Sequence, residues 1–188
     1  MQLNEEIVKL NSKKIWVLDV AEAENLLLLE NVIKAVATHM GKDADDVFEK
    51  AKANLIASFK TQQEQQIILH YKELLGRKLA LITNFTSTTI SGAISEVDLS
   101  YSSIDKQKLF NEIKIIFEEA ISKSDYDAVL RLFNLKNALI PFSKVCEMTE
   151  IKNKEGYLNL VLSLLKKQDA ASQVIKKAIE DKIIRNAS

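Results

Sequence analysis

The stretch Asp105-Lys106-Gln107-Lys108-Leu109-Phe110-Asn111-Glu112-Ile113-Lys114-Ile115-Ile116-Phe117-Glu118-Glu119-Ala120 decides the fold class. Leu109, Ile113, Ile116, Phe117 and Ala120 recur three or four residues apart, which lines them along one face of an α-helix. A half-buried strand would need alternation instead. Ser102 and Asp105, ahead of the stripe, are a pair of the kind that caps a helix start.

The same period continues toward the C-terminus. Ser124 can cap a helix carrying Val129, Leu132 and Phe133. Pro141 either sits in the first turn of a new helix or kinks the chain, while Leu139, Phe142, Val145 and Cys146 keep up the apolar pattern. After Asn153, Leu158, Val161, Leu162 and Leu165 define a further helix. The last runs from Ala171 to Ile183 on Val174, Ile175, Ala178, Ile179 and Ile183.

Toward the N-terminus, Thr61 and Glu64 read as a capping box for a helix bearing Ile67, Ile68, Tyr71, Leu74, Leu75, Leu79 and Ile82. Gly76 inside it marks a candidate close helix crossing. Val47, Phe48, Ala51, Leu55 and Phe59 stripe a helix that starts near Asp43. Asp19 and Glu22 form another capping box, opening a helix that runs through Leu26, Leu27, Leu28, Leu29, Ile33, Val36 and Ala37 to a stop at Gly41. Ile15-Trp16-Val17-Leu18 is short enough for a strand but has no evident partner. A short helix or an extended arm packing Trp16 on the core is therefore expected. The periodicity predicts an all-α fold, an irregular multi-helix bundle of about seven or eight amphipathic helices.

Composition agrees. Four Gly and one Pro leave too few turn residues for a sandwich or small barrel. Hydrophobic residues at 47% against 28% charged lie well outside the regime of disorder. The chain reads as a single helical domain over residues 1–188. Its candidate hinge is the Ser/Thr-rich, Lys- and Arg-free stretch from Thr83 to Ser103, read as a solvated connection between two helical halves.

The charges balance, 26 basic against 26 acidic, so no net field attracts nucleic acid or an anionic membrane. No run is long and apolar enough for a membrane span, and no signal-like segment opens the chain. The single cysteine, Cys146, cannot form an intramolecular disulfide, and a cytoplasmic location is expected.

Chemistry-bearing residues are sparse. His39 falls at the end of a helix, where a cation complements the dipole, and His70 flanks a core stripe beside Tyr71. Neither completes a Glu-x-x-His pair of the di-iron bundle type. Asp45, Asp46 and Glu49 are the candidate metal ligands, an Asp-Asp-x-x-Glu run that could offer carboxylates to Mg²⁺. Acids in a first helical turn are already explained by the dipole, and no second acidic cluster is tied to this one. Cys146 reads as a small core residue. Lysines concentrate at the C-terminus without interleaved aromatics, as on a solvated outer face.

No catalytic residue, cofactor or metal is assigned, and an enzyme is the less favoured reading. The leading expectation is a non-enzymatic helical protein–protein interaction module, an accessory subunit, adaptor or regulator that presents apolar helix faces to a protein partner or to its own copy as a homodimer. Val174, Ile175, Ile179 and Ile183 are the candidate interaction residues. A helical binding protein for a small apolar ligand is the alternative, and a metal-dependent helical enzyme the third reading.

Overall fold

The computed structural model describes residues 17–82, 86–134 and 140–184. Among them are nine α-helices: α1 (Glu30–His39), α2 (Ala44–Thr61), α3 (Gln63–Leu81), α4 (Ile90–Ser102), α5 (Lys106–Ser122), α6 (Tyr126–Leu132), α7 (Ile140–Thr149), α8 (Lys154–Lys166) and α9 (Ala170–Glu180). A 3₁₀ segment, Ala23–Leu28, precedes α1. Two two-residue strands, β1 (Val17–Leu18) and β2 (Ile183–Ile184), pair antiparallel. The protein is an all-α multi-helix bundle. No helix among the described residues is long and apolar enough to cross a membrane.

The chain divides into two compact units, one made of Met1–Thr61 with Asp125–Ser188 and the other of Gln62–Ser124. The Thr83 to Ser103 stretch falls within the second.

In the first unit α1 is central, packing on α2, α9, α7 and α8. Val32, Ile33, Val36 and Ala37 on α1 are fully buried, as are Phe59, Val129, Leu130, Phe133 and Ile175 elsewhere in the unit. Side chains of this size contribute roughly 1.5–3 kcal/mol each on burial, so this unit holds the larger apolar reserve. In the second unit α3 packs on α5, burying Ile67, Leu109, Ile113, Phe117 and Ala120. There the His70 ring lies edge-on to Phe117 at 5.1 Å, and Tyr71 to Phe110 at 5.9 Å.

Several helix ends form where the residues dictate. Gly41 takes φ +69°, and behind it the Lys42 N–H bonds to the Ala37 carbonyl at 2.9 Å and the Gly41 N–H to Thr38 at 3.0 Å. That pair of bonds is a Schellman stop, open to glycine because it lacks Cβ. Asp43 Oδ1 accepts from the N–H groups of Asp45 and Asp46 at the start of α2. Asn153 caps α8 and Asp169 caps α9. Pro141 lies in the first turn of α7, where its missing N–H costs no helical bond.

Other expectations are corrected. Asp19 and Glu22 do not open one long helix: the 3₁₀ segment turns at Leu29 (ψ 140°) before α1 begins. Buried Asn25 explains the break, because its amide donates to the carbonyls of Leu130 at 2.7 Å and Phe133 at 2.9 Å. Tertiary bonds there outweigh local helix preference. Val17–Leu18 does have a partner strand, supplied by the far end of the chain. Trp16 lies outside the described residues. The Thr61 hydroxyl donates back to Ala57 within α2 instead of capping α3. Asp125, not Ser124, caps α6, and Asp105 alone caps α5. A Cβ on Gly76 would meet nothing within 4 Å, so among the described residues no close helix crossing occurs there. The stretch read as a solvated connection contains the 13-residue helix α4, capped by the Thr89 hydroxyl on the Gly92 N–H.

Candidate functional site

The last helix ends at Glu180, and Ile183 passes into β2. Of the four residues expected to form an interaction stripe, Ile175 is fully buried in its own unit, Ile179 and Ile183 are half-buried, and Val174 is 45% exposed. Most of this face is thus taken up by the α9 packing on α1 and α8.

The candidate metal ligands each meet a lysine. Asp45 pairs with Lys34 at 2.7 Å, Asp46 with Lys50 at 2.7 Å, and Glu49 with Lys52 at 3.9 Å. Lys34 also meets Glu30 at 2.7 Å, and its hydrogen bonds to Asp45 and then Glu30 hold its ammonium above the ordinary lysine range. Among the described residues no three His, Cys, Asp or Glu side chains gather as a metal cage would require.

Cys146 is buried, and burial pushes its thiol up from the ordinary value, away from the thiolate a nucleophile needs. Near it two tyrosine hydroxyls bond to the backbone. The Tyr126 hydroxyl donates to the Leu28 carbonyl and the Tyr157 hydroxyl to the Leu27 carbonyl. These carbonyls end the 3₁₀ segment and have no helical donor of their own. Burial raises both phenols far above their usual range, with Asp127 adding to Tyr126 and the charge of Tyr126 adding to Tyr157. The arrangement ties helices together.

Concavities with the dimensions of ligand sites occur in both units. In the first unit a groove of about 440 Å³ runs between α1 and the α8–α9 junction, lined by Ala35, Leu164, Ala171 and Val174 with Thr38 and His39 at its edge. In the second unit another of about 440 Å³ lies between the end of α3 and the α4–α5 turn, with Lys78 and Lys108 facing Asp105 and Glu112.

The clearest departure from a closed core lies elsewhere. Of the large apolar side chains exposed among the described residues, only Leu158, Leu162 and Val174 belong to the first unit; the others, from Ile68 to Ile116, all belong to the second. Helix α4 is the extreme, burying none of its side chains although Ile90, Ile94, Val97, Leu99 and Tyr101 make it one of the more apolar helices. Ile90 is 83% exposed, Leu99 72%, Ile94 57% and Tyr101 49%. Sequence reasoning passed over this helix because its many Ser and Thr residues masked the spacing of Ile90, Ile94, Val97 and Tyr101. That spacing was the available signal.

Comparison with family models, with curated proteins and with solved structures returns no significant match. The residues alone carry the functional reading.

Proposed function

We propose that the protein is a non-enzymatic helical interaction module, an adaptor, accessory subunit or regulator that engages another protein through its second unit. One observation carries the reading: an apolar helix, α4, that buries no side chain. Exposed apolar surface of this kind is unfavourable in water and marks interaction sites in soluble proteins. The sparse catalytic inventory points the same way. A cytoplasmic location accompanies the proposal, as does self-association as the simplest form of partnership.

The test is affinity purification of the tagged full chain beside an Ile94→Asp, Ile116→Asp variant, both positions being more than half exposed. The expected result is a stoichiometric partner, or a second copy of the chain, held by the wild type and lost by a variant whose circular dichroism is unchanged. A wild-type chain that remains alone and monomeric rejects the reading.

The groove beside α9 favours a second reading, a carrier of a small apolar ligand, since its volume lies within the usual range of ligand pockets. Native mass spectrometry separates the two. A retained small molecule on a monomer favours the carrier.

A further inference from the structure

We draw no further inference here: the strongest candidate, the exposed apolar face of α4 that carries Ile90, Ile94 and Tyr101, already supports the interaction reading, and nothing in the structure shows what covers it.

Discussion

The Tyr157 hydroxyl reaches the Leu27 carbonyl at 3.0 Å, joining residues 130 positions apart in sequence. The carbonyl ends a 3₁₀ segment, and the Tyr157 side chain is fully buried. Tyr157→Phe keeps the ring and removes only the donor. It should lower the unfolding free energy by about 0.5–1.5 kcal/mol, the net worth of one intramolecular hydrogen bond. Urea denaturation checks this; a loss under 0.5 kcal/mol would show that the bond is not holding the segment.

The two buried phenols also set a response to alkali. Both Tyr126 and Tyr157 have their pKa raised by burial, so the folded chain keeps protons that the unfolded chain releases. Their contribution is intact below about pH 10, the ordinary tyrosine value, and is lost as pH climbs above it. The slope approaches about 1.4 kcal/mol per pH unit for each tyrosine. Denaturation at pH 9, 10 and 11 should show the fall, and a Tyr126→Phe, Tyr157→Phe double variant, less stable at neutral pH, should show a shallower one.

Two helical glycines predict opposite outcomes. A Cβ at Gly76 meets open space, and Gly76→Ala should stabilise by about 0.5–1 kcal/mol through helix propensity and reduced freedom of the unfolded chain. At Gly92 a Cβ would come within 2.0 Å of the Ser87 hydroxyl and 2.9 Å of the Thr89 hydroxyl that caps α4. Gly92→Ala must push that cap aside, offsetting the propensity gain. Thermal denaturation of the pair should move in opposite directions or, at minimum, differ by about 1 kcal/mol.

Because α4 buries no side chain, little apolar area holds it against local opening. Its amides should exchange with deuterium faster than those of α1 by several orders of magnitude. Protection equal to that of α1 would contradict the exposure on which the interaction reading depends.

Replacing Asp45, Asp46 and Glu49 with Asn, Asn and Gln removes three largely exposed ion pairs and the acids of one helix start. The expected cost is about 1 kcal/mol, with no change in a calorimetric Mg²⁺ titration. Stoichiometric Mg²⁺ binding lost in this variant would instead support a metal-dependent reading.

What could be read from the residues was whatever depends on neighbours a few positions apart. The helix with Leu109, Ile113, Phe117 and Ala120 on its buried face, the Gly41 stop and the helix that follows Asn153 are set by local spacing and backbone freedom, and the structure has them, although Ile116 of the same stripe is exposed. Local rules failed where a distant partner decides. Asn25 breaks the expected first helix through carbonyls at Leu130 and Phe133, and Val17–Leu18 becomes a strand because Ile183–Ile184 lies beside it. The candidate site failed for a related reason. Apolar periodicity tells which face of a helix avoids water, but not whether its own chain covers that face. Ile175 is covered and Ile94 is not, although each sits among apolar residues at helical spacing.

The second unit interrupts the first, whose halves are the segments before Gln62 and after Ser124. On a chain emerging from the ribosome N-terminus first, Val32, Ile33 and Val36 of α1 appear long before Ile175 of α9, a helix that packs on α1. The inserted unit is fully synthesised in that interval and free to fold, while α1 and α2 wait with apolar faces bare. Co-translational assembly is therefore staggered, with the larger core closing last. Nascent chains halted between residues 124 and 175 are those that should recruit chaperones most strongly.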